Sequence, residues 1–298
     1  MRIAVLFVVH ALAAAAVATI ATGATLTTGP QSPPPSSQTG TSRLVLAAAT
    51  DPRNRPLVAL GPDDFVISEG EAVREVLSVH AADYPIVVLI GTGGEAHDDF
   101  PTIQRAAIHF VQRLGDERPI AVVSFGGTPR LIASFDDDRR TVLARLTALT
   151  IDDAPAPAGN AVLRGVPLAA QTLRATQSLF AAMVVISGTP IEAARATDED
   201  TLGPIVDTGA ILHIVANLGT ADAATPGALR GLVQQTNGVY TPVYSAASLQ
   251  PALDRLADRM TTELIVEYLV PNGSKATDVK VGVRIPGARV RGLGVAPR

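Results

Sequence analysis

The residues best placed to do chemistry lie in one short stretch, Gly91-Thr92-Gly93-Gly94-Glu95-Ala96-His97-Asp98-Asp99. Its spacing supports two kinds of site. Gly-x-Gly-x-x-Ala behind an apolar run has the form of a dinucleotide loop, in which glycines let backbone amides approach a pyrophosphate at a helix N-terminus. The carboxylates and imidazole of Glu95, His97, Asp98 and Asp99 could instead ligate a metal ion. Against the nucleotide, the helical period that follows starts only near Asp99. The next apolar run ends Ser124-Phe125-Gly126-Gly127, without the acid that would bind a ribose, and the nearby acids repel phosphate. Against the metal, Asp98 and Asp99 suit the capping of a helix, and His97 suits an exposed loop.

Other candidates are weaker. His109 falls at the margin of an apolar helical stripe, as a packing or surface residue. His213 lies within an apolar strand and reads as a core histidine with its hydrogen bonds satisfied. Ser124 precedes two glycines, but no Gly-x-Ser-x-Gly elbow occurs, and no acid–base or nucleophile pair stands out. The chain contains no cysteine, which excludes disulfides, zinc–thiolate sites and thiol nucleophiles. With a net charge of −4 and mixed signs along the chain, there is no basic footprint for nucleic acid. The arginines at 284, 289, 291 and 298 read as a solvated strand face.

The elements that must position the loop follow from periodicity. Ile86–Ile90, Met183–Ile186 and Ile211–Val215 are continuous apolar runs, as expected of strands buried on both faces, with further strands at 119–125 and 130–135. Ile103, Ala106, Ala107, Phe110, Val111 and Leu114 form one helical stripe, with Asp98 or Asp99 at its cap and Pro101 in its first turn. A second helix opens at Asp136-Asp137-Asp138. A third covers about 160–176, where Pro167 should kink it or delay its start. Thr197–Asp200 reads as the capping-box start of another helix, and helices at 226–236 and 247–260 follow, the former stopped by Asn237-Gly238. Short strands at 44–46, 65–67 and 73–80 precede this alternation, and strands at 263–270 and 279–285, with a turn at Asn272-Gly273, follow it. The class is therefore α/β, a mostly parallel sheet with helices on both faces, and ligands of such sheets sit at the carboxyl ends of the strands.

At the N-terminus, Arg2, an apolar run from Ile3 to Ile20 and small residues at Ala21, Gly23 and Ala24 have the form of a secretory signal. Residues 1–24 are therefore expected to direct export to the periplasm or beyond. An uncleaved anchor is the alternative, and would be the protein's one membrane attachment. Residues 25–41, rich in Pro, Ser and Gly, read as a spacer.

From about residue 43 onward the chain resembles the von Willebrand factor A-related proteins found widely in Acidobacteria and other soil bacteria. The resemblance rests on Asp51–Gly70, the strand ending Val88-Leu89-Ile90, Arg118–Phe125, Thr236–Tyr240 and the closing stretch from Glu267. It implies a von Willebrand A-like domain over 83–262, with 42–82 and 263–298 pairing into a small β module. It also implies a divalent-cation site on three loops, Asp-x-Ser-x-Ser, a Thr with an Asp-like position four residues on, and Ser-Asp-Gly. Here Gly91, Gly93 and Glu95 stand at the first, Asn160 and Arg164 at the second, and Ser187-Gly188-Thr189 at the third. Glu95 and Asn160 alone are too few ligands for magnesium. The expectation is a non-enzymatic interaction or scaffolding module without cofactor or metal, binding an unknown protein partner through the edge formed by Glu95, His97, Asp98, Asn160 and Thr189. The alternatives are a nucleotide-binding enzyme using Gly91–Gly94, and an adhesion domain with weak residual divalent-cation binding.

Overall fold

The computed structural model describes residues 40–152, 161–191, 199–219, 227–275 and 278–297. The expected signal segment, most of the spacer, Asn160 and the capping box at Thr197 lie outside them. β1 (Gly40–Thr50) is followed by β2 (Phe65–Glu69), β3 (Ala72–Arg74) and β4 (Val76–Ala81). Then come β5 (Ile86–Gly91), α1 (Phe100–Arg113), β6 (Ile120–Phe125), β7 (Arg130–Ala133), α2 (Arg139–Thr147), α3 (Ala161–Arg174) and β8 (Ala182–Ser187). α4 (Glu199–Thr208), β9 (Ile211–Asn217), α5 (Gly227–Gln235), β10 (Tyr240–Val243) and α6 (Leu249–Thr261) complete the alternating part, before β11 (Leu264–Pro271), β12 (Val279–Val283) and β13 (Arg289–Pro297).

The central sheet has the order β10-β9-β8-β5-β6-β7, parallel except for β7, which returns antiparallel beside β6. Every residue of β5, β6, β8 and β9 is buried, which is why their sequences are mostly apolar runs rather than alternating, with Ser124, Ser187, His213 and Asn217 as the polar exceptions. The pleat sorts them by parity. Ile86, Val88 and Ile90 share a core with α1, α2 and α6, while Val87 and Leu89 share one with α3, α4 and α5. The stripe on α1 buries Ile103, Ala106, Ala107, Phe110 and Val111 as its spacing predicts. The outer seam of α1 against α6 is polar: His109 Nδ1 lies 2.8 Å from Asp254, and Arg113 Nε donates to Asp258 at 2.6 Å. His109 thus sits at the stripe's margin with a carboxylate partner.

The flanking strands form a β sandwich. One sheet runs β13-β1-β11-β4, all antiparallel, and the other β12-β2-β3. Between them lie Val45, Phe65, Ile67, Leu264, Val266, Tyr268 and Val270. The ladder begins at Gly40, paired with Pro271, so the last two residues of the expected spacer belong to β1. β1 is covered on both faces. Val45 points into the sandwich, whereas Leu46 joins Ile265, Leu293 and Ala296 in the core shared with α1 and α6. The β module is therefore packed onto the α/β domain through one continuous apolar core.

Three local expectations are corrected. Asp99 occupies the N-cap position of α1 but already has helical backbone angles and makes no side-chain cap bond. A 3-10 turn over Gly94–Asp99 precedes the helix, and the Phe100 amide bonds to the His97 carbonyl, so the carboxylate is not needed. Of the two effects expected of Pro167, a delayed start is overturned: α3 starts at Ala161 and carries the exposed ring inside it. His213 is 1% exposed, but neither ring nitrogen has a hydrogen-bond partner among the described residues. Parity places its side chain between those of Ile211 and Val215 on the same face of β9, where Arg259 and Arg291 are the charged groups that act on it.

Candidate functional site

Three loops meet at the carboxyl edge of β5, β6 and β8. In the first, Gly91 ends β5 against the ring of Phe125, and a Cβ there would stand 3.2 Å from Phe125 Cζ. The Thr92 amide and hydroxyl both donate to the Phe125 carbonyl, at 2.7 and 3.1 Å. The Ala96 amide closes back on the Gly93 carbonyl at 3.0 Å, so the 3-10 turn starts directly behind the glycines. The Asp152 amide donates to the Thr92 carbonyl at 2.8 Å, tying the following loop to the first.

Gly126 and Gly127, behind β6, were not singled out by the sequence, yet they set the closeness of this edge. Gly126 has φ +133°, and a Cβ on it would fall 2.3 Å from the Gly93 nitrogen. A Cβ on Gly127 would fall 2.0 Å from Asp152 Oδ2. The signal available in the sequence was the pair of glycines at a strand's carboxyl end. Gly126→Ala meets both a forbidden backbone region and a backbone clash. It should lower unfolding free energy in urea by about 2 kcal/mol; a change within a few tenths would contradict the close approach.

In the second loop Asn160 is outside the described residues. Arg164, on α3, reaches the same edge, with Nη2 3.4 Å from the Gly126 carbonyl. In the third, Ser187 Oγ donates to the Thr189 carbonyl at 2.7 Å and accepts from the Thr189 amide at 3.4 Å. Gly188 faces the start of α1: a Cβ there would lie 2.2 Å from Ile103 Cδ1 and 3.1 Å from Ala96 Cβ. His97 and Asp98 are exposed, 3.5 Å apart. The fold thus brings Gly91, Gly93, Arg164, Gly188 and Thr189 to one edge. Glu95 has its backbone in the 3-10 turn there. No group of three or more His, Asp or Glu side chains able to hold a metal ion occurs among the described residues.

A buried cluster with displaced titration lies at the opposite, amino edge. Tyr84, just before β5, donates its hydroxyl to Glu263 Oε2. Arg118, just before β6, has its guanidinium carbon 4.9 Å from the centre of the Tyr84 ring. Its Nη2 donates to the carbonyls of Ala82 and Met260, 2.6 Å to each. Burial raises Glu263 to about 7, against the pull of Tyr84 and of the Arg118, Arg259 and Arg291 charges; burial also raises Tyr84. His213, higher on β9, is pushed down to about 3 by burial, with Arg259 and Arg291 adding repulsion. No feature in the sequence pointed to this cluster, whose members come from five separate segments.

No protein-family model and no curated protein sequence matches the chain. Among solved structures it is similar to a von Willebrand factor type A protein from Catenulispora acidiphila, at 12% identity and a TM-score of 0.50, covering 87% of this chain and 74% of that one. It is also similar to an aerotolerance-related membrane protein from Bacteroides fragilis, at 12% identity and a TM-score of 0.45, over 59% of this chain and 98% of that one. BatB from Bacteroides thetaiotaomicron gives the same identity, score and coverage. At such identities the likeness is one of fold. The likeness to the Catenulispora protein, together with the parallel sheet covered on both faces, gives this chain a von Willebrand factor A-like α/β fold that carries a small β module built from its flanking strands.

Proposed function

We propose that the protein is an exported, non-enzymatic interaction module whose carboxyl edge has lost the cation site of its fold. The observation carrying this reading is Gly188. An aspartate is implied at its position, where glycine supplies no oxygen, and a Cβ there would stand 2.2 Å from Ile103 Cδ1 and 3.1 Å from Ala96 Cβ, so any side chain must first displace the end of Ile103. Gly91 and Gly93 bring no side chain, the Ser187 hydroxyl is spent on Thr189, and Arg164 brings a positive charge to the edge. Such a donor set does not fit magnesium, which wants near-octahedral oxygens including one or two carboxylates. A nucleotide fits no better, because the Thr92 and Ala96 amides already bond to the Phe125 and Gly93 carbonyls. Export rests on the Arg2 and Ile3–Ile20 pattern. Among the described residues no helix is long and apolar enough to cross a membrane. The partner would be a protein, held by surface complementarity in place of a bridging cation.

Equilibrium dialysis with magnesium, manganese and calcium should find no saturable uptake. Gly188→Asp should fail to create any, and should instead destabilise the fold by about 1–3 kcal/mol through overpacking against Ile103. Stoichiometric uptake by the wild-type protein that Glu95→Ala abolishes would overturn the proposal in favour of a residual cation site.

A further inference from the structure

Two chain crossings connect the α/β domain to the β module: residues 82–85, entering β5, and 260–263, from the last turn of α6 into β11. Arg118 holds both, through the carbonyls of Ala82 and Met260. The Ala82 amide in turn donates to the Glu263 carbonyl at 2.9 Å. At the centre of this seam the Glu263 carboxyl is 1% exposed. Tyr84 satisfies one of its oxygens. Its Oε1, and Arg118 Nη1 across the cluster, have no hydrogen-bond partner among the described residues. A carboxylate buried here must keep one oxygen unsolvated, while the carboxylic acid carries no such charge.

We propose that the Tyr84–Arg118–Glu263 cluster is a proton-operated latch, which clamps the β module to the α/β domain while Glu263 is protonated and loosens both crossings when it ionises. The charged groups facing it from the surrounding elements are Tyr84 before β5, Arg118 before β6, Arg259 on α6 and Arg291 on β13. His213 of β9 meets the latter two arginines, and Arg139 of α2 donates to the Arg118 carbonyl. The arginines favour the ionised form and burial the neutral one. Burial prevails, placing the change near neutral pH, at about 7. The latch is independent of the metal-loop edge, at the other end of the same strands.

Native-state hydrogen exchange on the full chain tests this. The amides of Ala82, β4 and β11 are compared with those of α1, corrected for intrinsic exchange, in the wild type and in Glu263→Gln, which mimics the protonated acid. The ratio of seam opening, wild type over variant, should rise about tenfold between pH 6 and 8, as follows from carboxyl values of about 7 in the closed and 4.5 in the open state, while the α1 amides stay parallel. Should Glu263→Gln not fold, Tyr84→Phe serves. Losing the donor to the carboxylate, it must move the midpoint of seam loosening to higher pH. A ratio independent of pH, or a midpoint that Tyr84→Phe leaves in place, overturns the latch.

Discussion

Replacing Glu69 with alanine should lower the stability of the protein by about 3–5 kcal/mol, the range for breaking a buried ion pair by removing one partner. Glu69 ends β2 and is 4% exposed. Arg43 of β1 donates to its Oε1, and Arg74 of β3 lies 3.3 Å from its Oε2. Arg43 also donates to the Ser274 carbonyl in the β11–β12 turn region. One carboxylate thus joins the two sheets of the sandwich. Without it, a guanidinium whose side chain is 8% exposed stays out of water and loses the carboxylate it pairs with. The magnitude depends on burial, since an exposed pair contributes only about 0–1 kcal/mol. Urea unfolding of Glu69→Ala measures it, and a loss below about 1 kcal/mol would mean that water reaches Arg43. Arg43→Met combined with Glu69→Leu should recover most of the loss, because desolvation of the ions goes with their charges.

The second large effect is a cancellation in the pH dependence. Glu263 titrates at about 7 when folded against 4.5 when unfolded, so its contribution to stability is full below 4.5 and is lost as pH rises through 7. His213 titrates at about 3 against 6.5, so its contribution is present above 6.5 and is lost as pH falls toward 3. Between about pH 7 and pH 5 each is worth about 2 kcal/mol, with opposite signs, and the sum of the two is flat. Either single substitution should break the balance. His213→Leu should gain about 2 kcal/mol on acidification over that interval, and Glu263→Gln should lose about as much. His213→Leu should also be more stable at neutral pH by about 1–2 kcal/mol, because it relieves a buried imidazole with no hydrogen-bond partner among the described residues. Thermal unfolding of wild type, both single variants and the double variant across this range checks the scheme. Equal slopes in wild type and His213→Leu would refute the histidine half.

The layers are legible in local pattern alone. Short continuous apolar runs at β5, β8 and β9 read as strands covered on both faces, and the period on α1 as a helix with one buried stripe. Those signals are local, since each residue's neighbours in the chain carry its burial. The sequence also marked the glycine loop, because composition at a strand's end survives without coordinates. How distant segments meet follows only from the folded chain. Gly188 reads as a bare loop residue until Ile103 is seen 2.2 Å from its missing Cβ. Asp99 is a good cap by type, and loses that role because the turn before it already supplies a carbonyl. His213 reads as a satisfied core histidine, but the elements facing it bring apolar groups and the cationic Arg259 and Arg291, and neither ring nitrogen has a hydrogen-bond partner among the described residues. The Tyr84–Arg118–Glu263 cluster gathers residues up to 179 positions apart, and the displacement of its carboxyl comes from burial, which has no signature in any one segment. Periodicity records which way a side chain faces; its chemistry there depends on what the folded chain places opposite it.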